Sequence, residues 1–293
     1  MKTLRSIEEW RREYVRLKEQ NYHCKIGLVP TMGYLHEGHL SLVKQARVEC
    51  DIVVMSIFVN PLQFGVNEDF DRYPRDLKRD QALAAKLGVD VLFVPELGEM
   101  YPQEPLTAVT VSGITEVMCG QSRPGHFTGV ATVVTKLFNI IRPDYAYFGL
   151  KDAQQVAVIQ QMVHDLNIPV IIRPCPIVRE EDGLAMSSRN VYLSAEERQQ
   201  ALALNKSLQE GKALIKQGER DTDKIKEHMK AMLLSQPLIE LDYIDIRSFP
   251  GLKALESLDG VKGQVIVAVA VKIGRTRLID NVIIDMGEER VHV

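Results

Sequence analysis

The stretch "KIGLVPTMGYLHEGHLSLVKQARVECDIVVMSIFV", residues 25 to 59, decides the fold. An apolar run, KIGLVP (25–30), gives way to a polar loop with Gly33 and Gly38. From about residue 39 to 49 apolar positions recur at helical spacing, and DIVVMSIFV (51–59) is again apolar almost throughout. The order strand, loop, helix, strand is a βαβ unit. Strands without polar alternation are covered on both faces, which is the condition of a parallel sheet flanked by helices.

The pattern continues outward. DVLFVP (90–95), YAYFG (145–149) and PVIIRP (169–174) read as further strands, and helical periods run over 75–87, 128–141 and 153–166. Residues 1–20 read as an amphipathic helix through Leu4, Ile7, Trp10, Tyr14 and Leu17. The expected class is α/β, a Rossmann-like doubly wound parallel sheet occupying residues 1–176. Beyond 176 the texture changes to two polar helices, 195–217 and 222–235. A strand (239–248) and a hairpin of QVIVAVAVKI and TRLIDNVIID about Gly274 and Arg275 follow. Residues 177–293 are therefore expected to form a smaller α+β domain that closes over the site.

Composition narrows the function. The 293 residues carry 36 basic and 39 acidic side chains, a net charge of -3, which offers no broad attraction to nucleic acid. The apolar run VIVAVAV (265–271) is far below the ~20 residues of a membrane span. The N-terminus has no apolar signal centre, so a cytoplasmic protein is expected. Cys24, Cys50, Cys119 and Cys175 form no CxxC pair and read as buried thiols.

Ligands of open α/β sheets bind at the carboxyl ends of the strands. Four polar segments fall there: PTMGYLHEGH, VNPLQFG, GLKDAQQ and, past the last strand, VREEDGLAMSSRN. His36 and His39 are three apart, unlike the i, i+4 pair of a zinc helix, and no third ligand cluster accompanies them. A helix start near His39, with Gly33 and Gly38 allowing close approach, suits an anion; the imidazoles would add donors aimed at phosphate oxygens. Asn60 and Gln63 are amides in an apolar wall, suited to a small polar acid, although Asn60-Pro61 is also common turn chemistry. Lys151 suits a phosphate, and Asp152 either caps the next helix or holds a ribose hydroxyl or a metal. Ser187, Ser188 and Arg189 lie on a link that could fold over a polyphosphate. Arg123 contacts an anion or positions its loop, and Asp80 is a conceivable metal ligand on an otherwise solvated helix face. P-loop, GxGxxG and GxSxG signatures are absent from the sequence.

These blocks, with RPGHFTGVATVVTKLFNI between them, resemble in order and spacing the pantothenate synthetase (pantoate–β-alanine ligase) family, a nucleotidyltransferase group marked by His-x-Gly-His, here His36, Gly38 and His39. The resemblance covers about residues 25 to 200. It implies ATP across Met32, Gly33, Tyr34, Leu35, His36, Glu37, Gly38 and His39, with further contacts at Gly149, Leu150, Lys151, Asp152, Val178, Met186, Ser187, Ser188 and Arg189. His39 would donate a proton, pantoate would lie between Gln63 and Gln155, and β-alanine would arrive near Gln63. Some relatives carry a polar residue where Leu150 stands, so a backbone contact is implied there. Mg²⁺ accompanying ATP and a homodimer are implied as well. The implied reaction activates pantoate as an acyl adenylate, releases diphosphate, and then passes the acyl group to β-alanine with release of AMP. Rival readings are adenylyl transfer to another small acid and a silent nucleotide-binding module.

Overall fold

Lys2–Leu4 forms a short strand, β1, and Ser6 then starts helix α1 (Ile7–Gln20) with a capping box shared with Glu9. A computed structural model describes residues 1–65 and 68–287. The decisive unit follows: β2 (Ile26–Thr31), α2 (Glu37–Glu49) and β3 (Ile52–Ile57). Next come α3 (Leu77–Lys86), β4 (Val91–Phe93), α4 (Leu97–Met100), α5 (Cys119–Ser122) and α6 (His126–Ile141). β5 (Tyr145–Gly149), α7 (Ala153–Asp165) and β6 (Ile171–Cys175) complete the alternation.

The six strands are all parallel and lie in the order β1-β4-β3-β2-β5-β6. The α/β class and its parallel sheet are as expected. β1 was not, because residues 1–20 read as one helix. Lys2–Leu4 instead pairs with Val91–Phe93, fixed by Lys2 N–H donating to Asp90 O and Val94 N–H to Leu4 O, both 2.8 Å.

From β2 the chain moves outward one way, through β3 and β4, and later the other way, through β5 and β6. The order therefore reverses between β2 and β5, the position where open α/β sheets take their ligands. α2 covers β2, β3 and β5, burying Leu40, Leu42, Val43 and Ala46 over Val29, Val53 and Met55. The four cysteines are free and buried.

Packing divides the chain into two units, 1–112 with 123–150 and 158–178, and 113–122 with 151–157 and 179–293. In the second, α8 (Ala195–Lys216) and α9 (Thr222–Leu234) pack with an antiparallel sheet of β7 (Ile239–Phe249), β8 (Gln264–Ile273) and β9 (Thr276–Asp285). Leu204, Leu208 and Met229 from the helices share one core with Val265, Val267, Val269 and Val271. The hairpin at Gly274 and Arg275 forms as read, with Gly274 at φ 56°. A single break at 176 misses the two short segments, 113–122 and 151–157, that belong with this unit. They are tied in by side chains: Gln154 takes Cys119 N–H and donates to Ile114 O and Val117 O, at 2.7 to 3.0 Å. Among the described residues, no helix is long and apolar enough to cross a membrane.

Candidate active site

The loop from Met32 to His36 joins β2 to α2 at the switch point. Gly33 and Tyr34 both adopt left-handed backbone, φ 85° and 50°. Thr31 Oγ1 accepts from Gly33 N–H at 3.2 Å and donates to Ser56 O at 2.8 Å. The next two amides, Tyr34 and Leu35, donate to the carboxylate of Asp80 at 2.7 and 2.8 Å. Asp80 is thus a buried loop-holder with both oxygens engaged. That departs from the metal ligand on a solvated helix face that the sequence suggested. Burial pushes its carboxyl above the usual range, against the downward pull of the Leu35 and Tyr34 amides and Arg79.

α2 starts earlier than expected, at Glu37, with His36 as N-cap and His39 at the third helical position; Gly38 lies inside the helix. The rings do the capping. His36 Nδ1 accepts from Gly38 N–H at 3.1 Å, and His39 Nδ1 accepts from His36 N–H at 3.4 Å. A neutral ring whose Nδ1 accepts carries its proton on Nε2, so each imidazole is a donor at that nitrogen. The two rings stack at 4.0 Å between centroids, inclined by 28°. Leu40 N–H and His39 N–H bond to His36 O. Two of the amides at this helix end, those of His36 and Gly38, are thus taken by the rings.

The second loop forms a one-turn 3-10 helix, Pro61–Gln63, after β3. Asn60 is 1% exposed and fully used: Nδ2 donates to Gly129 O and Gln63 Oε1, while Oδ1 accepts from Leu62 N–H and Tyr101 OH. Its role is to hold the turn. Gln63 is half-buried, and its Nε2 reaches Met32 Sδ at 3.1 Å, which links this turn to the histidine loop. Arg123 grips Glu68 with two bonds, 2.7 and 2.5 Å, and joins His126 Nδ1 on the carbonyl of Gln63. Of the two roles open to Arg123, positioning the loop is the one these contacts serve. Glu68 and His126 were not foreseen as its partners.

Gly149 ends β5, and Leu150–Asp152 form a 3-10 turn into α7. Within the second unit, Lys151 O accepts from Asn281 Nδ2 at 3.0 Å. The Lys151 ammonium has no ion-pair or hydrogen-bond partner among the described residues. The neighbouring Asp280, 2% exposed at its side chain, binds Arg179 with two bonds, 2.7 and 3.0 Å. Adjacent positions of β9 thereby anchor both Lys151 and the segment that follows Val178. That segment turns at Gly183 (φ 92°), bridges Arg179 to Ala185, and enters a 3-10 helix, Ser188–Tyr192, capped by Ser187 Oγ on Arg189 N–H. Ser188 is buried, while Met186, Ser187 and Arg189 are half-buried. Gln155 is half-buried on α7 beside the structural Gln154. Asp280 and Asn281 were missed, although two adjacent polar residues inside an apolar strand were a legible sign of buried polar work.

The sequence profile described as Pantoate-beta-alanine ligase matches residues 2–283. The chain belongs to the pantoate-beta-alanine ligase family. It is 61% identical over 268 residues to the pantothenate synthetase of Acetivibrio thermocellus, covering 92% of this chain and 94% of that one. To the pantothenate synthetase of Caldicellulosiruptor bescii it is 55% identical over 285 residues, 97% and 99% of the two chains. The crystal structure of pantothenate synthetase from Thermus thermophilus matches with a TM-score of 0.88 at 45% identity, over 96% of this chain and 99% of that one. The Francisella tularensis pantoate-beta-alanine ligase, solved in complex with beta-gamma ATP and beta-alanine, matches with a TM-score of 0.78 at 35% identity, over 96% and 97%. As a pantoate-beta-alanine ligase the chain is an enzyme, and its family name agrees with the resemblance read from the five sequence blocks.

Proposed function

We propose that this chain joins (R)-pantoate to β-alanine with ATP as activator, through a pantoyl adenylate, releasing diphosphate and then AMP. The observation that carries the mechanism is the paired imidazole cap at the switch point, with both Nδ1 atoms accepting from backbone amides, which in a neutral ring makes Nε2 the donor. In the first step the pantoate carboxylate attacks the α-phosphorus, and negative charge grows on the departing diphosphate. His36 and His39 meet that charge as donors, His39 also as proton donor, with Lys151, Ser187 and Arg189 adding cationic and hydroxyl contacts. Leu150 and Val178 contribute backbone or apolar contact to the nucleotide. Gln63, pre-set by Asn60 and Met32, orients pantoate together with Gln155. In the second step the amine of β-alanine attacks the acyl carbon and AMP leaves; exclusion of water protects the acyl phosphate.

Mg²⁺ is proposed only as the companion of the ATP phosphates, held by their oxygens and water. Asp80 does not fit a metal role, because both its oxygens serve backbone amides, and among the described residues no three His, Cys, Asp or Glu are grouped to hold an ion. A cytoplasmic location and a homodimer belong to the same reading. The test is pantoate-dependent exchange of diphosphate into ATP, followed by formation of pantothenate and AMP when β-alanine is added. ADP as the nucleotide product would overturn it.

A further inference from the structure

Asp80 sits where a substrate anion would be at home. Consecutive backbone amides that converge on one point form a nest, an arrangement that elsewhere cradles phosphate. Here Tyr34 N–H and Leu35 N–H converge on the chain's own carboxylate, at 2.7 and 2.8 Å, in a position 2% exposed. The fit leaves little slack: a Cβ on Gly33 would lie 3.1 Å from Oδ2 and 3.0 Å from Ile57 Cγ2. Tyr34 holds a left-handed conformation that is disfavoured for a residue with a Cβ, and such a conformation persists only where the surroundings impose it. Arg79 adds a guanidinium 5.1 Å from the centre of the Tyr34 ring.

The peptide between Tyr34 and Leu35 is covalently one residue from the N-cap. Leu35, fully buried, passes directly into His36, whose own amide is the donor to His39 Nδ1. A rotation of the 34–35 peptide therefore moves the backbone on which both rings are hung. We propose that Asp80 is a positioning residue for the adenylation step: a built-in anion that fixes the Met32–Leu35 loop and, through it, the His36 and His39 donors. The inference rests on the proposed reaction and goes beyond it, since it assigns a function-specific task to a carboxylate whose two oxygens are held by backbone amides.

Asp80→Asn keeps the size of the side chain but replaces one acceptor with a donor that faces an amide, so one of the two loop bonds is lost in either orientation. Asp80→Ala removes both. The full chain is assayed in two halves: pantoate-dependent exchange of diphosphate into ATP, and release of AMP from supplied pantoyl adenylate by β-alanine. Displacing the donors by about 1 Å lowers exchange kcat about 10- to 100-fold for Asp80→Asn and more for Asp80→Ala, with KM for ATP moved less than about threefold. Consumption of supplied adenylate stays within about threefold of wild type in Asp80→Asn, because that step starts after diphosphate has gone. Four results would overturn the proposal: unchanged exchange, equal losses in the two halves, recovery of exchange by added Mg²⁺, or unfolding of both variants at 25 °C by circular dichroism. Absence of exchange in the wild type would instead sink the proposed reaction, whatever the variants do.

Discussion

Gly129 is the point where α6 touches the turn that carries Gln63. A Cβ at this position would stand 2.1 Å from Leu62 O, 2.4 Å from Leu62 C and 2.7 Å from Gln63 N. All three are backbone atoms, so no side chain can swing aside. The turn is also stitched to the helix, since Asn60 Nδ2 binds both Gly129 O and Gln63 Oε1. Gly129→Ala must therefore push the Pro61–Gln63 turn away by about 1 Å to restore ordinary van der Waals separation. Overpacking of this kind costs about 1–3 kcal/mol, which at roughly 2–4 °C per kcal/mol lowers Tm by a few to about ten degrees. A 1 Å displacement of an orienting amide lowers kcat/KM for pantoate by about 100-fold. Thermal unfolding and diphosphate exchange at varied pantoate measure the two effects. An alanine variant with wild-type Tm and pantoate kcat/KM within about threefold would refute both the close approach and the role given to Gln63.

Asp280→Ala leaves Arg179 without its two carboxylate bonds and is expected to cost about 3 kcal/mol, the low end for a broken buried pair because Arg179 keeps some solvent. A urea midpoint shift worth less than about 1 kcal/mol, at unchanged slope, would show the pair to be dispensable. Lys151→Ala removes a side chain without a partner among the described residues, so Tm should hold while exchange kcat falls about 100-fold; a large Tm loss would make the residue structural instead. For Asp80, burial raises the native carboxyl value over the opposing amides of Leu35 and Tyr34 and the charge of Arg79, with Asp76 adding a smaller upward push. Protonated Asp80 then favours the fold, a contribution complete below the unfolded value and lost as pH rises through the native one. The stability of Asp80→Asn relative to wild type should consequently grow between acid and neutral pH. A difference that shrinks over that range has the wrong sign for this reasoning.

Local signals in the chain reached as far as periodicity reaches. Five of the six parallel strands are apolar runs, and the segments that follow three of them carry His36, His39, Gln63 and Lys151. β1 escaped notice because its three residues are too few to show any period. Partnerships were hidden because they join distant positions: Asp80 lies 46 residues from Tyr34, and Asn281 lies 130 from Lys151. One clue was available for Asp80. Leu77, Asp80 and Ala84 share the inward stripe of α3, and a carboxylate on an apolar stripe calls for donors from elsewhere. The charged neighbours Lys78 and Arg79 disguised it as a solvated face.

Four backbone donors around the switch point are spent within the chain, which in the proposed reaction leaves the donor role to the imidazoles. Tyr34 and Leu35 amides go to Asp80, Gly38 N–H to the His36 ring and His36 N–H to the His39 ring. A glycine-rich phosphate loop offers such amides to the ligand; this loop uses them to lock itself, and the proposed reaction draws on the imidazoles instead. Imidazole can also release the proton it donates, which an amide cannot, a property that the proposed departure of diphosphate would use. The cap and the donor are separable by substitution. In His36→Asn the amide oxygen can take over the bond from Gly38 N–H, as asparagine caps commonly do, while the Nε2 donor disappears. The expected outcome is a Tm near that of wild type with exchange kcat lowered about 100-fold. Loss of both together would mean that His36 serves the helix, and retention of both would mean that His39 alone faces the phosphate.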